Sequence, residues 1–222
     1  MLLAEVRAEV AAVCRQLTAA GLVVGTAGNV SARAGDLIAV TPSGLDYAAL
    51  SPGLVGVHRL DGTPAEAPLA PSSELPLHLA VYAATGAAAI VHTHSPAATA
   101  TSALVTEVPA IHYQVAAFGG PVAVAPYATY GTDELAANVV TALERRSACL
   151  MANHGAVTTG PDLATALSRA RSLEWVCDVY LRAAAAGRPR LLPAEEIETV
   201  VRKMAGYGQS PPSSVTEVSG EI

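Results

Sequence analysis

The run Ala87-Ala88-Ala89-Ile90-Val91 carries no charge and no breaker, and it leads directly into His92-Thr93-His94-Ser95-Pro96. Such a run reads as a buried strand. Residues i and i+2 of a strand share a face and lie about 6–7 Å apart along the chain. Two neutral imidazoles on one face can hold one divalent ion, and nitrogen donors suit borderline ions such as zinc. Ser95-Pro96 ends the strand and is suited to start a helix. A fold that buries this strand therefore presents His92 and His94 at its C-terminal end, a frequent place for chemistry in α/β proteins. The competing reading is a pair of structural or surface histidines, and the rest of the chain decides between them.

A chain of 222 residues suits one large domain. With 51% hydrophobic and 14% charged residues, it can bury a strand of this kind in a sizeable core. The formal charge of −6 comes without a basic patch, which excludes nucleic acid as an expected partner. Cys14, Cys149 and Cys177 are far apart, odd in number and free of any Cys-x-x-Cys pair. That usage predicts a reducing compartment and buried thiols. Met1-Leu2-Leu3-Ala4-Glu5 has no basic n-region, so no signal peptide is expected. The most apolar stretch, Ala80 to Val91, is interrupted by Thr85-Gly86 and is too short to span a membrane. The expectation is a soluble cytoplasmic protein with no membrane partner.

Taken in order, Leu3, Val6, Val10, Val13 and Leu17 recur at helical spacing, with Gly21 placed to end that helix. Val23-Val24 reads as a short strand. Gly25 to Ser31 is a loop of Gly and small polar residues, open to two readings: a tight turn, or a cradle of N–H and hydroxyl groups for an anion. Asp36 to Val40 and Val55 to His58 read as strands, with Thr41-Pro42-Ser43-Gly44 and Asp61-Gly62-Thr63 as turns. His58 reads as a surface or edge residue. Ser72 or Ser73 is expected to cap a helix with Glu74 in its first turn and Leu75, Leu79 and Tyr82 on one face. His78, one turn beyond Glu74, reads as a supporting or structural residue. Ala97 to Leu104 reads as helix, Val122 to Val124 as a brief strand, and Pro126 to Gly131 as an aromatic loop in a chain with 4% aromatics. Thr132 is expected to cap a helix to about Arg145. Ala148 to Met151 reads as a core strand, ending in Asn153-His154-Gly155, where glycine permits a sharp turn. Val157 to Thr159, Asp162 to Ala186, and Pro193 to Ala205 read as a strand, a long helix and a final amphipathic helix.

His92, His94 and His154 thus fall at strand ends, and three imidazoles leave a coordination position open for substrate. Spacing alone does not bring His154 to the other two. The blocks Gly25 to Ser31, Thr41 to Gly44, Ser72-Ser73-Glu74, His92-Thr93-His94, His112-Tyr113 through Gly119-Gly120, Pro126 to Gly131 and Asn153-His154-Gly155 resemble the class II aldolase and adducin-like family. Within it they are most similar to the fuculose-1-phosphate aldolase branch. The blocks keep that family's order and near spacing over roughly residues 5 to 185. The resemblance implies a three-layer α/β/α sandwich around a mostly antiparallel sheet, as one domain over residues 1–208, while the Gly-, Ser- and Pro-rich composition from Gly206 onward predicts a loosely ordered tail at 209–222. It implies a zinc site at His92, His94 and His154, although the ligand type also accommodates Mn²⁺, Co²⁺ or Fe²⁺. Glu74 becomes the catalytic acid/base, for which a raised pKa is expected. Gly28, Asn29, Ser43, Gly44, Ser72 and Ser73 become the phosphate cradle. Tyr113 becomes a proton donor from a neighbouring subunit, and Tyr207 a tail residue that closes over the site. The implied assembly is a C4 homotetramer with sites between subunits.

The implied activity is reversible cleavage of a ketose 1-phosphate to dihydroxyacetone phosphate and an aldehyde. L-fuculose 1-phosphate, giving lactaldehyde, leads, with deoxy-pentulose phosphates close behind. Sugar-phosphate epimerase, dehydratase, decarboxylase and oxygenase chemistries are alternatives on such a scaffold. The epimerase looks to require an aspartate near Ala116, and no acid occurs between Glu107 and Asp133. An adducin-like scaffold would lack the full metal set, which is complete here. Three positions depart from the fuculose pattern: Asn153 for histidine, Tyr130 for phenylalanine, and a Gly119-Gly120-Pro121 segment one residue short.

Overall fold

In the computed structural model of the protein, residues 1–204 are described. Helix α1 (Ala4–Ala19) is followed by four strands, β1 (Asn29–Ala34), β2 (Leu37–Val40), β3 (Gly56–Arg59) and β4 (Pro64–Glu66). Next come α2 (Leu75–Ala84), β5 (Ala89–Thr93), α3 (Pro96–Ser102), β6 (Glu107–Val108) and β7 (Val122–Ala125). The remaining elements are α4 (Asp133–Ala142), β8 (Ala148–Met151), β9 (Gly155–Gly160), α5 (Leu163–Ala186) and α6 (Ala194–Met204). The strands form a nine-stranded sheet in the order β4-β3-β2-β1-β5-β9-β8-β7-β6. Only the β7–β8 pair among these is parallel.

The period-2 alternation of the strands builds two different cores. Val30, Ala32, Ala89 and Val91 meet Val10, Cys14 and Leu17 of α1 and Ala166 and Ala170 of α5. Ile38, Val40, Ile90 and Val157 point the other way, into Leu77 and Val81 of α2 and Leu135 and Val139 of α4. A third cluster joins Ala98 of α3, Leu173 and Val176 of α5 and Ile197 of α6 to Val122 and Leu150 of the sheet. The architecture is the expected α/β/α layering around a mostly antiparallel sheet. Cys14, Cys149 and Cys177 are free and buried, as their spacing suggests.

Two caps hold α4 and α5 in place, the first of them expected from the sequence. Thr132 Oγ1 accepts from the Leu135 N–H, and Asp162 Oδ1 accepts from the Thr165 N–H at 2.6 Å. A third cap comes from a distance. Both carboxylate oxygens of Glu174, on α5, accept N–H groups of Ala97 and Ala98, each at 2.8 Å. They satisfy two of the free donors that open α3 and so fix the turn that follows His94.

Several local expectations are corrected. Val23-Val24 forms no strand; Val23 enters the core while Val24 is exposed. Strand β1 begins at Asn29, so the second half of the Gly-rich stretch belongs to the sheet. Helix α2 starts later than expected, with Glu74 itself at the N-cap and no side-chain cap, because Pro76 suits its first turn. Its buried face is Leu75, Leu77, His78, Val81 and Tyr82. Helix α4 ends at Ala142. His58 is buried, not at an edge, since β4 covers β3.

Candidate active site

Three neighbouring strands assemble the site. Asn29 opens β1 and pairs with His92 of β5, and His92 pairs with Val157 of β9. Both pairings are antiparallel, so the end of β5 lies beside the starts of β1 and β9. His94 follows the last residue of β5, and His154 precedes the first residue of β9. Glu74 arrives from the layer above, at the N-terminus of α2.

Two close approaches make this packing possible. A Cβ at Gly28 would lie 2.7 Å from the His92 carbonyl oxygen, and one at Gly155 would lie 2.2 Å from that of Thr93. Either contact is too short for any side chain, so glycine lets β1 and β9 close on β5. Between them Asn153 takes φ 54°, a left-handed conformation that asparagine tolerates better than most residues. It turns the chain so that His154 faces the other two histidines.

The three rings pack edge to face with centroids 4.8–5.0 Å apart. His92 Nε2 lies 2.9 Å from His94 Nε2 and 3.0 Å from Glu74 Oε2. His154 Nε2 lies 3.6 Å from Glu74 Oε1. One donor atom from each of the four residues falls within 4.8 Å of the others. His92 Nδ1 lies 2.9 Å from the Ala156 carbonyl oxygen, which can only accept; Nδ1 therefore donates, and Nε2 is the ring atom turned to the centre. Glu74 Oε1 is buried with no hydrogen-bond partner. An unpaired carboxylate oxygen beside three imidazoles is the donor chemistry of a divalent metal centre, and the residues fit one.

Burial, and then the neighbouring His92 and His154, push His94 down to about 4. Burial and then His92 also lower His154. Both rings are thus held neutral, the form that binds metal. Burial opposes ionisation of the Glu74–His92 pair, but their mutual contact outweighs it and raises His92. The same contact, with a hydrogen bond from Asn29 and the nearby His154, holds the Glu74 carboxyl well below its usual range despite its burial. The expected raised pKa is therefore corrected: Glu74 stands as a carboxylate.

A cavity of about 280 Å³ opens onto this cluster. Gly28, Asn29, Ser43, Gly44, Ser72 and Ser73 all line it, together with Glu74, His94 and His154. His92 lies fully buried behind them. No lysine or arginine is among the lining residues. The backbone N–H groups of Ser43 and Ser72 are bonded to the Ala70 and Thr41 carbonyls, and the Ser72 hydroxyl accepts the Glu74 N–H at 3.2 Å. Tyr130, singled out from the aromatic loop, lines the cavity, as do Tyr127 and Asn153. Tyr113 does not: it is half exposed and borders a separate groove with Leu192 and Val200. Tyr207 and the 209–222 tail lie outside the described residues.

Sequence reasoning gave Asn29 a phosphate role and gave Ser31 and Tyr82 none. In the structure the Asn29 side chain contacts Glu74 at 2.9 Å and also contacts His78. Ser31 lies 2.6 Å from His78 Nδ1 and 2.7 Å from the Tyr82 hydroxyl. The available signal was the i, i+4, i+8 spacing of Glu74, His78 and Tyr82, which places them on one helical face.

The family profile described as Class II Aldolase and Adducin N-terminal domain matches residues 8–181. The chain belongs to the class II aldolase and adducin family. A 5-deoxy-D-ribulose 1-phosphate aldolase of Bacillus thuringiensis serovar kurstaki is 39% identical over 212 residues, covering 94% of this chain and all of that protein. A 5-methylthioribulose-1-phosphate/5-deoxyribulose-1-phosphate aldolase of Rhodospirillum rubrum is 41% identical over 198 residues, covering 88% of this chain and 89% of that one. The solved structure of an L-fuculose 1-phosphate aldolase superposes with a TM-score of 0.88 at 36% identity, covering 90% of this chain and 96% of that one. Among the described residues of this class II aldolase family member, no helix is long and apolar enough to cross a membrane.

Proposed function

We propose that the chain is a divalent-metal-dependent aldolase that reversibly cleaves a ketose 1-phosphate to dihydroxyacetone phosphate and an aldehyde. The observation that carries this reading is the free Glu74 Oε1 beside three converging imidazoles, at the floor of a cavity lined by glycines and hydroxyls. The reaction breaks the C3–C4 bond. The C4 hydroxyl loses its proton and C4 becomes the aldehyde carbonyl, while the bonding pair passes into the enediolate of the three-carbon half. A proton added at C3 then gives dihydroxyacetone phosphate.

His92, His94 and His154 hold the metal, with zinc the leading identity and Mn²⁺, Co²⁺ or Fe²⁺ compatible with the same donors. When bound, the metal supplies Lewis-acid stabilisation of the enediolate charge. Glu74 moves the proton at C3, taking it from dihydroxyacetone phosphate in the condensation direction. Its ionised state suits it to act first as a base. The hydroxyls of Ser43, Ser72 and Ser73, with Gly28, Gly44 and the second amide hydrogen of Asn29, hold the phosphate without a cation. That contact is remote from the breaking bond and fixes orientation. Tyr113 handles the proton on the C4 oxygen from a neighbouring subunit of a homotetramer; its exposure, away from the chain's own cavity, supports that assignment. Three buried free thiols support a reducing, cytoplasmic setting.

Among ketose phosphates, the two relatives at 39% and 41% identity move the preference from L-fuculose 1-phosphate to a 5-deoxy-pentulose 1-phosphate, which yields acetaldehyde. Tyr127, Tyr130 and Asn153 line the cavity without belonging to the metal or phosphate sets, and they form the aldehyde wall. The test supplies dihydroxyacetone phosphate with acetaldehyde, glycolaldehyde or lactaldehyde and follows ketose phosphate formation with and without chelator. Chelator-sensitive product that is lost in Glu74→Gln, with acetaldehyde preferred, is the expected result. No product with any aldehyde, from protein carrying metal, overturns the aldolase reading in favour of dehydratase, epimerase or decarboxylase chemistry.

A further inference from the structure

A column of buried polar side chains starts at Glu74 and Asn29, on the cavity wall, and runs back between α2 and β1. On α2, Glu74, His78 and Tyr82 stand one turn apart on one face. On β1, Asn29 and Ser31 stand two residues apart on one face, alternating with Val30 and Ala32, which turn into the opposite core. The helix stripe and the strand stripe interlock. Glu74 Oε2 meets Asn29 Nδ2, Asn29 Oδ1 meets His78 Nε2, His78 Nδ1 meets Ser31 Oγ, and Ser31 Oγ meets Tyr82 Oη. Asn29, Ser31, His78 and Tyr82 are each at most 3% exposed.

The chemistry of the two ends gives this chain one direction. Asn29 Nδ2 donates to Glu74 Oε2 at 2.9 Å, so the amide presents its NH₂ group there. The Asn29 carbonyl then faces His78 and can only accept, so His78 carries its proton on Nε2. His78 Nδ1 is left as an acceptor, so Ser31 donates to it, and Ser31 in turn accepts from Tyr82. Burial, the largest influence, drives His78 down to about 3, so the ring stays neutral and keeps this single tautomer. Every member is satisfied, as a buried polar network requires.

We propose that His78 is a positioning residue for the Glu74 base, fixing the Asn29 amide so that its N–H rather than its carbonyl faces the carboxylate. Ser31 and Tyr82 act through His78 by holding its tautomer. Were the amide to turn over, its carbonyl oxygen would oppose the carboxylate, and Glu74 would swing off the line from Oε1 to the substrate carbon. The proposal rests on Glu74 acting as the base at C3.

The experiment measures solvent deuterium exchange into the C3 position of dihydroxyacetone phosphate, with no aldehyde present, on metal-loaded protein. Metal content, dihydroxyacetone phosphate affinity and the kcat and KM of cleavage are followed alongside. Glu74→Gln is the reference for the base. His78→Phe removes the donor to Asn29 and is expected to lower exchange and kcat about tenfold to a hundredfold, with metal content close to that of the parent. His78→Gln places an amide N–H near the lost Nε2–H and is expected to recover most of the rate. Tyr82→Phe leaves the His78 bonds in place and is expected to lose only a few-fold, so it serves even where His78→Phe fails to fold. Exchange at the parental rate in folded His78→Phe overturns the proposal, as does an equal loss in His78→Gln or a loss that tracks metal content. A parental rate in Tyr82→Phe and in Ser31→Ala removes their part in it. Exchange that survives Glu74→Gln overturns the reading of Glu74 itself, which separates that failure from failure of the positioning role.

Discussion

The two faces of strands β1 and β5 are built on different rules. Toward α1 and α5, strands β1 and β5 present Val30, Ala32, Ala89 and Val91, which touch only apolar partners. Toward α2, the intervening positions carry Asn29, Ser31 and His92 beside the apolar Ile90, and the three polar side chains are all buried and all hydrogen-bonded. One residue of shift in register would exchange the two sets. An apolar face tolerates imperfect chemistry but not lost volume. A polar buried face tolerates neither a missing partner nor a wrong tautomer, and on β1 and β5 it lies where it serves the Glu74–histidine cluster.

That contrast can be broken at several points. The largest effect is expected from metal removal. Chelation should bring turnover to background while the far-ultraviolet circular dichroism stays unchanged, because the apolar clusters do not depend on the ion; readdition of a divalent metal should restore activity. Loss of secondary structure on chelation would show that the two faces are not independent. Next, Leu17→Ala, fully buried on the α1 side, should cost about 2–5 kcal/mol in a denaturant titration through the cavity it leaves, with metal content unchanged. Val30→Thr sharpens the comparison, since it keeps the shape but puts a hydroxyl on the apolar face with no partner. It should cost about 1–3 kcal/mol, measured the same way. A neutral outcome would mean that this face can supply a hydrogen bond. The smallest effect is expected at Asp162→Ala, which removes the α5 cap and should cost about 1 kcal/mol with activity retained.

The same contrast explains what the sequence made legible. Apolar runs such as Ala89 to Val91 and Ala148 to Met151 identify themselves as strands, and Thr132 and Asp162 announce their helices. Strand β1 stayed hidden in a glycine-rich block because Asn29 and Ser31 look like turn residues. Their partners, His78 and Tyr82, lie on a helix that only the fold brings near. His58 misled for a similar reason: a histidine on a short strand reads as solvent-facing unless the covering strand β4, three residues long, is known. The metal set was visible as residue types at strand ends, and the antiparallel neighbours of β5 supply the meeting of His154 with His92 and His94. The Glu74 ionisation ran opposite to expectation because its partners, His92 and Asn29, are distant in sequence. Glu174 capping α3 had no local signal at all.

Strand β5 sits in the sheet between β1 and β9, which come from opposite ends of the described chain. Synthesis therefore delivers the pieces of the centre in the order Asn29, Glu74, the His92–His94 pair and finally His154, and β9 is the last strand to be made. A nascent chain halted before residue 154 carries two of the cluster's imidazoles and its carboxylate but cannot close the cluster, since the third imidazole, His154, has yet to be made. Ion capture by this protein is thus a late event, and tight metal retention reports that the central strands have found their final neighbours.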